Sequence, residues 1–158
     1  MNKIDRLISN NKYLSYINQI NEKEIDREFC RHGIEHCLDV ARISYIMNLE
    51  NNLGFDKEII YATALLHDIG RVSEYENGNY HDKAGGEIAR ELLLGTGFNE
   101  DEIVKICQAI TEHRSINGSN PLSSLLYKAD KLSRNCFACK VYDKCYWQEE
   151  IKNKGIII

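Results

Sequence analysis

Apolar residues recur along this chain at intervals of three and four, a spacing that predicts helices almost throughout and no convincing strand. "DRLISNNKYLSYINQI" sets Leu7, Leu14 and Ile17 at helical spacing, and "NEKEIDREF" reads as a short polar-faced helix after it. A third helix spans about residues 33–49, with His36, Val40, Ile43 and Met47 on its inward face and Asp39 and Arg42 turned to water. The next begins near Asp56, a candidate N-cap, carries Ile59, Ile60, Ala62, Thr63 and Leu66, and stops at Gly70. "RVSEYENGNY" reads as a surface loop, and "HDKAGGEIARELLL" resumes a helix. "GFNEDEIVKICQAITEH" pairs Asn99 with Glu102 in a capping pattern and aligns Ile103, Ile106, Ile110 and His113 on one stripe. After a loop, "RSINGSNP", the last long helix, "LSSLLYKADKLSRNCFAC", sets Leu122, Leu125, Leu126, Ala129 and Asp130 along one side. The expectation is an all-α bundle of about six to seven helices.

Composition narrows the class. The chain has 158 residues, 43% hydrophobic and 28% charged, which fits one soluble domain over residues 1–158 with a single core. No stretch approaches the roughly 20 apolar residues of a membrane span, and the first residues lack the apolar region of a secretory signal, so a cytoplasmic protein without a membrane partner is expected. A formal charge of −4 argues against a general nucleic-acid-binding surface. It leaves room for a small phosphorylated substrate, because bound cations can invert the field inside one pocket. Six cysteines without a secretory signal read as reduced thiols or metal ligands.

The candidate chemistry lies where polar residues interrupt apolar faces. His36 sits on the inward face of the third helix, His67 and Asp68 end the fourth, His113 ends an apolar stripe, and Asp130 interrupts another. A lone histidine on an apolar face is more often a hydrogen-bonded core residue. Three of the five histidines together with two inward aspartates are hard to obtain from packing alone. Buried carboxylates need compensation, and a divalent metal satisfies them together with neutral imidazoles. His32, one helical turn before His36, is read as a surface or capping residue.

"HCLDVA", "ALLHDIG" and "KAD", in that order over about residues 30–135, resemble the HD superfamily of metal-dependent phosphohydrolases. The resemblance implies a compact HD-type helical bundle in which His36, His67, Asp68 and Asp130 bind metal. "YHDKAGGEIA" and "AITEHR" resemble segments that supply two more ligands in some branches, here His81 and His113. Those branches hold two divalent ions, which makes Asp68 the bridge and the catalytic residue. Iron or manganese is favoured, while such ligands also suit zinc, cobalt, nickel or magnesium. Two ions about 3.5–4 Å apart would activate a water for in-line attack on phosphorus.

Basic residues beside the ligands, Arg71, Arg114, Lys131 and Arg134, are the candidates for holding substrate phosphate. The cyclic-dinucleotide branch has a paired His-His and a Gly-Tyr-Pro motif, whereas here Arg114 follows His113 and "NGSNP" lacks the tyrosine. The alarmone-hydrolase branch has acidic residues sooner after the His-Asp pair than Glu74 stands. The small bacterial dinucleoside tetraphosphate hydrolases look closer in size and ligand order. The expected function is hydrolysis of a nucleotide-like phosphoester or pyrophosphate, and the rival reading is a non-catalytic metal or nucleotide sensor on the same scaffold. In the C-terminal segment 136–158, "NCFACKVYDKCYW" groups Cys136, Cys139 and Cys145, which with Cys30 would make a second site for structural zinc or an iron–sulfur cluster. The bland alternative is cysteines packed as small apolar groups.

Overall fold

A computed structural model describes residues 1–114 and 120–156. Among these residues the chain forms α1 (Lys3–Ile8), α2 (Asn11–Lys23), α3 (Ile34–Glu50), α4 (Lys57–Leu66), α5 (Arg71–Asn77), α6 (His81–Leu93), α7 (Glu100–Glu112) and α8 (Pro121–Leu132), and no strand. Two short 3-10 turns follow, Cys136–Ala138 and Tyr142–Lys144. No helix of the described residues is long and apolar enough to cross a membrane.

The bundle is arranged around α4. Its sequence, KEIIYATALL, is apolar on nearly every side, and Ile59, Ile60, Ala62, Thr63, Ala64, Leu65 and Leu66 are all buried. A helix that is hydrophobic all round must be enclosed. Here α1, α3, α7 and α8 enclose it, and α6 pairs with α7 while α5 packs on α6 and α2. Asp56 caps α4 by accepting from the backbone N–H of Glu58 and Ile59, and Asn99 and Glu102 form the reciprocal capping box of α7.

Five expectations are corrected. The N-terminal helix is two helices, because Asn10 turns its side chain back to cap α2 at Lys12 and Tyr13. In consequence Tyr13, Ile17 and Ile20 face the core and Leu14 is 44% exposed. The polar helix expected at "NEKEIDREF" does not form beyond Lys23. Glu24 instead swings inward, accepting from the His32 backbone N–H at 2.7 Å and from the Tyr75 hydroxyl, and residues 24–33 run without a helix. The loop expected at "RVSEYENGNY" is helical over its first seven residues, and only Gly78, at φ 70°, ends it. Gly70 does not stop the chain in a left-handed cap; its φ is −71° and it is the N-cap of α5. Finally, α8 ends at Leu132 and not near residue 139, because Asn153 donates to the carbonyls of Lys131 and Arg134 and so takes up the helix end. Of the loop expected at "RSINGSNP", residues 115–119 lie outside the described residues, while Asn120 caps α8 by accepting from Leu122 N–H at 2.9 Å.

Candidate metal centre

Five elements deliver one residue or pair each to a common point. His36 comes from the first turn of α3, His67 and Asp68 from the turn after α4, His81 from the start of α6, His113 from the C-cap of α7 and Asp130 from the last turn of α8. All but Asp130 are buried, and the Asp130 side chain is 14% exposed. The ligand-type atoms of His36, His67 and Asp68 lie within 4.8 Å of one another, and so do those of Asp68, His81 and His113. Asp68 therefore belongs to both triads. Its Oδ2 is 3.0 Å from His67 Nε2 and 3.5 Å from His36 Nε2, while its Oδ1 is 3.5 Å from His81 Nε2. Asp130 Oδ1 joins the first triad at 3.2 Å from His36 Nε2 and 3.9 Å from His67 Nε2.

The outer nitrogens explain why the inner ones face each other. His67 Nδ1 is 2.6 Å from the Ala64 carbonyl, and His113 Nδ1 is 2.5 Å from the Ile110 carbonyl. A carbonyl only accepts, so each Nδ1 carries a proton, and in the neutral ring the lone pair is then on Nε2. His81 Nδ1 faces the Glu74 carboxylate at 2.9 Å. Ser133 spends its hydroxyl proton on the Asp130 carbonyl, so its oxygen accepts from His36 Nδ1 at 3.3 Å. Four imidazoles thus present Nε2 toward two carboxylates, the arrangement in which histidine binds a metal.

The donor set fits divalent cations. His67 Nε2 is fully buried and makes no hydrogen bond, although Asp68 lies beside it. Burial opposes charge on His67, yet Asp68 and Asp130 outweigh it and push its pKa up to about 10. The enclosed carboxylates demand positive charge at this atom. Burial likewise opposes ionisation of Asp68, but His67 and Arg71 hold it well below the usual carboxylate range. His113 moves the other way, down to about 4, through burial and the neighbouring His67 charge. Mixed imidazole and carboxylate donors of this kind suit iron, manganese, zinc, cobalt or nickel.

The four expected cations border the same space. Arg71 Nε donates to Asp68 Oδ1 at 2.9 Å, Lys131 Nζ reaches Asp130 Oδ2 at 2.9 Å, and Arg134 Nη2 stands 3.1 Å from His36 Nε2. Arg114 is exposed at the rim. A cavity of about 300 Å³ opens over Asp68, His81, His113 and Asp130, and a neighbouring one of about 190 Å³ shares Arg71, Arg114 and Lys131 with it. Tyr146 lines both, and Trp147 the second.

His32 is not a surface residue. It is 4% exposed, its ring lies 5.7 Å from that of His36, and its Nδ1 is 2.5 Å from Glu24 Oε1. Burial holds its pKa down at about 4, so the neutral ring donates Nδ1–H to Glu24 and extends the row of imidazoles beyond His36. Glu24, Tyr75, Glu74 and Ser133 were not legible as site residues. One local signal was available: a histidine at or just past a helix end can donate back to the carbonyl three residues earlier, as His67 and His113 both do. The remaining expected group also meets. Cys30, Cys136, Cys139 and Cys145 line a single cavity behind Arg134.

Known proteins resemble this chain in sequence and in fold. Residues 33–135 match the HD domain family. An uncharacterized protein from Clostridium beijerinckii is 46% identical over 153 residues, covering 97% of each chain. Ribonuclease Y of Mycoplasma mycoides is 28% identical over 133 residues, which are 84% of this chain but 29% of that protein, so the chain spans less than a third of it. Among solved structures, a predicted HD superfamily hydrolase from an uncultured Thermotogales bacterium superposes with a TM-score of 0.64 at 25% identity, covering 88% of this chain and 80% of the other.

Proposed function

This chain belongs to the HD-domain family, and from that premise we propose that it is a metal-dependent phosphohydrolase acting on a nucleotide-like phosphoester or pyrophosphate. The observation that carries the reading is the set of four imidazoles, each with Nδ1 tied to an acceptor and Nε2 turned to Asp68 or Asp130, beneath a cavity rimmed by cations. In this reading His36, His67, Asp68 and Asp130 would hold one ion and Asp68, His81 and His113 would hold a second. Divalent ions so held would supply an activated water near neutral pH and a Lewis acid for the phosphoryl group.

The protein's own residues do the rest. Arg71 is fixed by Asp68 on one side and by Glu74, 3.5 Å away, on the other, so its guanidinium presents a constant charge to a phosphoryl oxygen. Lys131 and Arg134 flank Asp130, and Arg114 closes the far rim. Such fixed donors stabilise charge that builds on non-bridging oxygens during phosphoryl transfer. The base-like part of the substrate is assigned to the aromatic wall of Tyr146 and Trp147, where the exposed Tyr146 ring offers a stacking face. The ribonuclease Y relatives fit a phosphodiester as the bond cleaved, and the modest cavities favour a small substrate.

The test is hydrolysis of a phosphodiester, a dinucleoside polyphosphate and a short RNA, each with manganese or ferrous iron. Turnover of a small substrate that chelator and Asp68→Ala both abolish supports the reading. A folded, metal-loaded protein that binds nucleotides yet cleaves none of the three would sink it and leave the sensor reading.

A further inference from the structure

Four of the six cysteines gather away from the histidine centre. Cys30 comes from the irregular segment before α3, Cys136 and Cys139 bracket the first 3-10 turn, and Cys145 follows the second. They are all free thiols on the wall of one cavity of about 210 Å³, whose other walls include Phe29, Tyr142 and Trp147. The Cys30 thiol is raised by burial and lies within electrostatic reach of the other three cysteines. Two sequence segments more than a hundred residues apart therefore converge on a thiol-lined, largely apolar space.

The spread of the sulfurs distinguishes among ligands. A tetrahedral zinc with Zn–S bonds of about 2.3 Å holds its sulfurs roughly 3.8 Å from each other. Among the described residues, the groups of three or more ligand-type atoms within 4.8 Å of one another are the two histidine triads, and no three of these cysteine sulfurs form such a group. Among any three of these sulfurs at least one pair is thus more than 4.8 Å apart, beyond the spacing about a single zinc ion. Four thiolates about a polynuclear core are the usual ligation of iron–sulfur clusters.

We propose that Cys30, Cys136, Cys139 and Cys145 bind an iron–sulfur cluster that clamps the C-terminal segment onto the wall of the substrate cavity. Each cysteine gives its thiol proton to solvent as its sulfur joins iron, and the sulfur itself keeps its oxidation state. The clamp reaches the histidine centre through Arg134. This side chain lines the cysteine cavity, donates to the Arg31 carbonyl at 2.7 Å and stands beside His36 Nε2. Cys30 and Cys145 also border the cation-rimmed cavity with Trp147, so cluster and substrate share a wall.

The experiment uses the full chain, purified without oxygen and reconstituted with ferrous iron, ferric iron and sulfide. Acid-labile sulfide per chain, visible charge-transfer absorption and the electron paramagnetic resonance of the reduced protein are read. Bound sulfide with a cluster spectrum is expected, lost in Cys139→Ser and Cys145→Ser and retained in Cys107→Ser, which alters a thiol outside the cavity. Asp68→Ala keeps the sulfide while losing iron from the histidines, so the two sites fail independently. Zinc at the cysteines without sulfide, a disulfide among them, or a folded wild-type protein that binds no sulfide would each overturn the proposal. The wild-type measurement decides even if the serine variants do not fold.

Discussion

At the scale of the residue, the centre depends as much on what holds each imidazole as on the imidazole itself. Glu74 fixes the His81 tautomer and also steadies Arg71. Partners of this kind typically contribute about 10–100-fold in metal affinity or activity. Glu74→Gln is therefore expected to weaken metal binding at the His81 side by about that factor, measured by titration with manganese, while circular dichroism stays that of the native helices. An unchanged affinity would remove Glu74 from this supporting role. Arg71→Ala should raise KM more than it lowers metal content, because the guanidinium faces the cavity whereas Asp68 keeps its imidazole neighbours. Equal loss of metal and of activity in that variant would assign Arg71 to holding Asp68 alone.

At the scale of the element, the turn between α4 and α5 is pressed against α6. A Cβ placed on Gly70 would stand 2.0 Å from the His81 carbonyl oxygen and 2.5 Å from the Gly85 nitrogen, both backbone atoms that cannot step aside. Gly70→Ala should cost about 1–3 kcal/mol or more through overpacking, seen as a lower thermal midpoint, and should displace His81. A variant as stable as the parent would show that the turn and α6 are not in contact. The enclosed α4 gives a second measure. Leu66→Ala removes a fully buried side chain and is expected to cost about 2–5 kcal/mol in denaturant unfolding. The elements α3, α4 and α7 were readable because their apolar positions recur over several turns, and α4 and α7 also start at side-chain caps. The seven residues of α5 were not, since Gly70 and the Asn-Gly at its end look like a loop from either side.

At the scale of the whole molecule, Glu24 joins the first third of the chain to the centre. Burial opposes its charge, but the His32 and Tyr75 hydrogen bonds win and hold its pKa near 2, against 4.5 for an ordinary glutamate. Because the unfolded chain binds the proton first, this contribution is complete above pH 4.5 and is lost as pH falls toward 2. His32, held near 4 against 6.5, has the same sign, since its unfolded form takes a proton earlier on acidification. Urea midpoints of the wild type should thus fall on acidification, and Glu24→Gln, already weaker by about 1–3 kcal/mol at neutral pH, should show a flatter fall below pH 4.5. Parallel profiles would remove Glu24 from this role. By itself the sequence determined the helical class, the caps at Asp56 and Asn99 and the order of the inward ligands, because periodicity and capping are settled among residues a few positions apart. Tertiary structure alone decided that His32 is buried, that Ser133 holds His36 across 97 positions and that Glu24 turns inward to His32 and Tyr75. Contacts of that reach exist only after α3 and α8 have packed, and no local pattern of residues encodes which side chains that packing leaves face to face.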